Sequence, residues 1–385
     1  MTATPKQNKK KQNKKFSRKN ESLDPRKLVQ KTGLDKAIQE AISRYQAEKY
    51  VKKHSRAKLA EALILTAAIQ PERGTYQATL EAIYSKVIQA ELPSQSTISR
   101  TIPKLLDPLW STFRHYACKL DRNLVPREAV RILVLDTKGI PTKISLATLG
   151  YIKNAVRLGI KLGLLTANGV PIDFRVSRGD NHDVNFLDYM GDTIRRAGYG
   201  GILVLDSGFI DKRRLGELVV AGVDFVCRAK SNMKGDVFLG VQVHGKLRIE
   251  VWEKYLDDVS VYLFVYSDGK SVFKLLSSLD DPLLVLRLYR VRWSIEILFR
   301  RLSDLGFRLF GWSLEAVVVS VLVFLIALLV LRLYAILARR AFCVPCLRRR
   351  LLRWLFKFEI WYDVYARSSV RWRKTGLKLS KVLQN

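Results

Sequence analysis

Acidic side chains are the scarce charge in this sequence: 35 Asp and Glu stand against 67 Lys and Arg, leaving a formal charge of +32. An excess of that size points to a polyanionic partner, nucleic acid before an anionic membrane surface. Cysteine is scarce too, with only four in 385 residues, which excludes the disulfide framework of a small secreted domain and favours a reducing cytoplasm. Cys343 and Cys346 have metal or redox spacing, but no second such pair and no neighbouring His completes a zinc site, so they are expected to be small packing residues. Long apolar runs are nearly absent. The one exception, residues 316–331, is interrupted only by Ser320 and is shorter than a span of about 18 residues, so a helix buried against a sheet is expected rather than a membrane crossing. The N-terminus has no apolar stretch after its lysines, which argues against a secretory signal.

What is present falls into four parts. Residues 1–27 form a Lys-rich polar tail with almost nothing to bury, expected to be disordered and able to add phosphate contacts. Residues 28–125 carry apolar positions at spacings of three and four, the pattern of amphipathic helices. Within them Ser94 is a plausible N-cap for a short helix that sets Gln95, Ser96, Ser99 and Arg100 on exposed positions and must end or kink at Pro103. That helix resembles the recognition helix of a helix-turn-helix, whose polar side chains suit base edges and phosphates.

From residue 126 to about 340 the texture is mixed α/β. Residues 130–135 form a β-type run leading to Asp136, and residues 201–205 form another leading to Asp206, so both acids are expected just past buried strands. Residues 151–166 and 171–177 supply further strands, and 186–197 read as a helix. A β-rich insertion is expected at about 230–280. The last part, 341–385, mixes arginines with tryptophan and phenylalanine as a basic aromatic helical segment.

The stretch 288–303 reads as one helix. On it Tyr289, Arg292, Glu296, Arg300 and Ser303 fall within about 80° of one another, while Ile295, Leu298, Phe299 and Leu302 suit a core. A solvated charge ladder through Arg292, Glu296 and Arg300 is the bland interpretation. Carboxylates are also the ligands that hard divalent ions require, and two that follow adjacent strands can meet a third on a helix beside the sheet. Asp136, Asp206 and Glu296 have those settings. The acids of 179–183 are expected instead to lie in a polar loop preceding a helix, with Asp183 near its N-cap, and Asp280–281 to mark a helix start.

Tyr289-x2-Arg292-x3-Glu296 resembles the signature of the large insertion-sequence transposase group with a DDE catalytic domain, in which Tyr-x2-Arg-x3-Glu-x6-Lys surrounds the catalytic glutamate. The surroundings of Asp136 and Asp206 and the run Phe225-Val-Cys-Arg-Ala-Lys230 are similar to that family's as well. The resemblance implies an RNase H-like core with a β-rich insertion, preceded by a helical DNA-binding region. It also implies Asp136, Asp206 and Glu296 as catalytic ligands of two Mg2+ or Mn2+ ions, and Tyr289, Arg292 and Arg300 on DNA phosphate. The partners it implies are transposon terminal repeats and target DNA, engaged as a homodimer at the nucleoid with no membrane. One departure stands out. The signature's Lys position holds Ser303, which leaves Arg300 to replace its contact or the copy impaired as an enzyme. A DNA nuclease and a transposase-derived DNA-binding protein are the alternative functions.

Overall fold

The computed structural model describes residues 22–45, 55–69, 76–124, 130–141, 159–311 and 313–355. Most of the basic tail, residues 142–158 and the C-terminal residues from 356 on lie outside them. Contacts divide the chain into two compact units, residues 117–300 and a second unit built from those before 117 and after 300.

The second unit begins with helices α1 (Pro25–Thr32), α2 (Leu34–Arg44), α3 (Arg56–Ile69), α4 (Tyr76–Ile83, continued as a π-turn to Ile88) and α5 (Gln95–Thr101). α5 opens at Ser94, whose Oγ accepts the Thr97 N–H at 3.3 Å, and passes into a 3-10 turn at Ile102–Leu105 that contains Pro103, as a proline lacking its N–H demands. α6 (Leu106–Leu124) follows.

The unit 117–300 is built on one nine-stranded mixed sheet in the order β3-β2-β1-β4-β5-β9-β8-β7-β6. Its strands are β1 (Ile132–Pro141), β2 (Gly159–Ala167), β3 (Val170–Arg178), β4 (Ile202–Leu205), β5 (Asp224–Arg228), β6 (Val237–His244), β7 (Leu247–Leu256), β8 (Val259–Ser267) and β9 (Val272–Ser277). β1, β4 and β5 run parallel, while β2, β3 and β9 pair antiparallel with their neighbours. Within the β-rich insertion expected at 230–280, β9 pairs with β5 and extends the same sheet.

Alternation along the strands gives the sheet two buried faces. Leu133, Leu135, Leu203, Leu205 and Phe225 join one core with Phe186, Ile194 and Leu215, which come from α7 (Asn185–Tyr189), α8 (Gly191–Gly198) and α9 (Lys212–Val220), and with Met190 between the first two. The helix expected over 186–197 is thus two short ones, broken at Met190. The opposite face carries the fully buried Val134, Val204 and Val226. There α10 (Pro282–Val291) packs on β4, β5 and β9 and leads into α11 (Trp293–Asp304). α10 starts where expected, with Pro282 in its first turn and Asp281 Oδ1 accepting from the N–H groups of Leu283 and Leu284.

α12 (Leu314–Leu337) and α13 (Val344–Leu355) complete the helical unit. α12 is the one helix among the described residues long and apolar enough to cross a membrane, with mean hydropathy 3.0, and 83% of its most apolar window is buried inside the protein. It is buried as expected, but against α1, α3, the 3-10 turn and α13 rather than against the sheet. A helix apolar on every side needs a shell of partners, and the helices of its own unit provide one. Its one serine is satisfied: Ser320 Oγ donates to Ala316 O and accepts the Phe310 N–H. Cys343 and Cys346 are not separate packing residues; they form a disulfide at the start of α13.

Candidate active site

The parallel register of β1 and β4 places Val134 opposite Val204, and that is the last rung the two strands share. Two residues further on each strand, on the same face as these valines, stand Asp136 and Asp206. Asp206 directly follows β4, as expected. Asp136 does not follow its strand; it lies within β1, which continues to Pro141 on its pairing with β2 alone. The acids therefore stand where two parallel strands part, a crevice at strand C-termini of the kind that binds ligands in open α/β sheets.

Each aspartate is held by the peptide that follows it. The Thr137 N–H donates to Asp136 Oδ1 and the Ser207 N–H to Asp206 Oδ1, both at 2.8 Å. This leaves each Oδ2 directed to the Arg292 guanidinium, whose Nη1 is 3.5 Å from Asp136 Oδ2 and 3.9 Å from Asp206 Oδ2. Its Nη2 donates to Glu296 Oε1 at 2.6 Å. One guanidinium thus joins all three acids that the sequence singled out. The stretch 288–303 is not one helix: Arg292 is the junction between α10 and α11, which puts Tyr289 at the end of one and Glu296 in the first turn of the other. Tyr289 lies beneath the Arg292 guanidinium, 5.7 Å from it to the ring centroid.

Electrostatics follow from this crowding. Burial pushes the Asp136 carboxyl up to about 6, with Asp206 and Asp183 adding to the rise, while the Thr137 N–H and Arg292 pull against it. For Arg292, burial alone would favour the neutral form, but Tyr289, Asp206, Asp136 and Glu296 outweigh it and raise its pKa. Burial also raises the Tyr289 hydroxyl.

No group of three His, Cys, Asp or Glu among the described residues stands close enough to hold a metal ion. The donor set nevertheless suits a hard cation: three carboxylates from distant points of the chain already converge on one cationic group. A divalent ion would take that place only with Arg292 displaced. Arg292, expected on DNA phosphate, here faces the three acids.

Two clefts flank the Asp206 turn. One, of about 530 Å3, is lined by Lys161, His182, Asp183, Gly208 and Lys230. The other, of about 580 Å3, carries Arg228, Lys230 and Lys274 and no acid in its lining. Sequence reading missed these cations as a set, although register aligns them: Leu205 pairs with Cys227, so Arg228 stands next to Asp206 across the sheet. Asp183 was expected near a helix N-cap, and it directly precedes Val184, the N-cap of α7, which has no side-chain cap. Its side chain accepts from Thr137 Oγ1 at 2.6 Å and from Lys161 Nζ at 3.0 Å.

Of the other singled-out residues, Arg300 is exposed on α11, as is Ser303. Gln95, Ser96, Ser99 and Arg100 are all exposed on or beside α5, with the Arg100 Nε donating to Ser96 O at 3.2 Å. A family model described as a transposase DDE domain matches residues 129–331. Comparison with curated proteins gives no match.

Proposed function

The chain belongs to the transposase DDE domain family, and from that premise we propose that it cleaves transposon ends in DNA and joins them to target DNA, with Asp136, Asp206 and Glu296 as the catalytic acids. The observation that carries this reading is the meeting of three carboxylates, from β1, β4 and α11, on one guanidinium. The order β3-β2-β1-β4-β5, with β2 and β3 antiparallel to a parallel trio, supports an RNase H-like core.

Two Mg2+ or Mn2+ ions held by these acids would activate the attacking oxygen and relieve charge on the leaving one. The chain's own residues do the rest. The Thr137 and Ser207 N–H groups fix the two aspartates before any ion arrives. Arg292, once clear of the acids, and Tyr289 hold DNA phosphate, with Arg300 further on along α11. Arg228, Lys230 and Lys274 line a path for the polyanion beside Asp206. The exposed side chains Gln95, Ser96, Ser99 and Arg100 read DNA from the helical unit, the transposon's terminal repeats being the ligand and a homodimer at the nucleoid the working form.

Ser303, at the position where the family's signature has Lys, favours a second reading: a copy that binds DNA but no longer cuts. Plasmid nicking decides between them. Under the first reading the protein nicks in Mg2+, and Asp136→Ala, Asp206→Ala and Glu296→Ala each abolish nicking while gel-shift binding in EDTA persists. Binding without nicking by the unaltered protein supports the second, and a single Ala variant that cuts at the native rate removes that residue from the site.

A further inference from the structure

A fourth acid serves the site without joining the three. Asp183 lies in the loop between β3 and α7, away in sequence from both catalytic aspartates, yet it touches the strand that carries one and the turn that follows the other. On one side its Oδ1 accepts the Thr137 hydroxyl at 2.6 Å, and Thr137 is the residue whose N–H holds Asp136. On the other side it packs on Gly208, two residues past Asp206, so closely that a Cβ there would lie 2.7 Å from Asp183 Oδ2. A side chain at 208 would thus push the Asp183 carboxylate from this place. Lys161 of β2 secures the arrangement, donating to Asp183 Oδ1 at 3.0 Å and to the Asn181 carbonyl in the same loop.

We propose that Asp183 is a positioning residue that sets the separation of Asp136 and Asp206, acting through the Thr137 hydroxyl and the Gly208 contact, and so tunes the affinity of the pair for divalent cations. It is not itself a ligand. Its Oδ1 is engaged by two donors and its Oδ2 faces glycine, whereas the Oδ2 atoms of Asp136 and Asp206 point to the shared cation. The inference rests on the reading of those two aspartates as metal ligands. Partners of this kind orient ligating carboxylates, and their loss typically weakens metal binding by about 10- to 100-fold.

The test measures Mn2+ binding to the full-length protein by the loss of the free-ion paramagnetic resonance signal, without DNA and without turnover. Thr137→Val removes the hydroxyl while keeping the shape and the backbone N–H; Thr137→Ser restores the hydroxyl; Asp183→Ala removes the acceptor; Asp206→Ala is the reference. Asp183→Ala and Thr137→Val are expected to weaken Mn2+ binding by about 10-fold, with Thr137→Ser close to the native protein. Native affinity in folded Thr137→Val, or equal weakening in Thr137→Ser and Thr137→Val, overturns the proposal while leaving the site reading intact. Should Asp206→Ala bind Mn2+ as the native protein does, the site reading itself fails.

Discussion

Replacing Arg292 by Ala separates its service to the acids from its service to DNA. At an effective dielectric near 20, the contacts at 2.6, 3.5 and 3.9 Å are each worth about 4 to 6 kcal/mol of gross attraction. Desolvation and repulsion among the three carboxylates cancel most of it. Removing one partner of a buried ion cluster costs about 3 to 5 kcal/mol net, and the lower end applies here because side chains of Glu296 and Asp206 are 31% and 36% exposed.

The deficit must depend on pH. Asp136 already sits at about 6, and without Arg292 its carboxyl rises further. The folded variant then keeps a proton that the unfolded chain gives up near the ordinary value of 3.8, so its stability falls as pH rises from that value through the raised one. Urea unfolding should show a small deficit near pH 5 and the full loss near pH 8. Added Mg2+ should recover the loss at pH 8, since a ligand at 100 times its Kd stabilises by about 2.7 kcal/mol, and should help the variant more than the native protein, whose guanidinium competes. Equal deficits at the two pH values, or equal Mg2+ effects on both proteins, would refute the idea that Arg292 stands in the place of a metal.

Two further outcomes are expected. Arg301 lies partly buried with its guanidinium 4.7 Å from the Phe342 ring centroid, whereas Arg300 is exposed. Arg300→Ala should therefore lower single-turnover cleavage by about 1.5 to 3 kcal/mol, the range of a hydrogen bond to a charged group, and Arg301→Ala should instead lower the melting temperature. Equal losses of cleavage would end the view that Arg300 replaces the signature lysine. In the helical unit, burial and the neighbouring Asp35 push Glu61 up to about 7, against the pull of Lys58. The folded state then holds a proton between the ordinary 4.5 and about 7 that the unfolded state lacks, so stability is lost as pH rises through that window. Glu61→Gln should raise the melting temperature at pH 8 and leave it unchanged at pH 4; a gain at both would point to packing instead.

How much of this was readable beforehand depended on whether the signal was local. The runs before Asp136 and Asp206 are apolar and β-branched, so two buried strands could be read directly, and the spacing around Glu296 gave a helix with one charged face. The split at Arg292 carries no proline or glycine to mark it. Asp183 looked like part of a polar loop before a helix, and its partners Thr137, Lys161 and Gly208 are brought to it only by the fold. For α12, apolarity on every side showed that it would be buried but not in what, since periodicity carries no information about a neighbour. The spacing of Cys343 and Cys346 was visible, whereas their pairing depends on the backbone at the head of α13.

The two units also differ in when they can form. All strands of the sheet and the helices on both its faces lie within 117–300, so this unit holds its complete core as soon as that stretch has left the ribosome. The helical unit has no such independence, because α1 and α3 must wait for α12, made long after them, to cover their apolar sides. During synthesis those early helices are the surface most exposed to aggregation and chaperone capture. A chain truncated before residue 314 and released should thus carry a finished sheet unit and an unfinished helical one, and its protease sensitivity should fall on the helical unit.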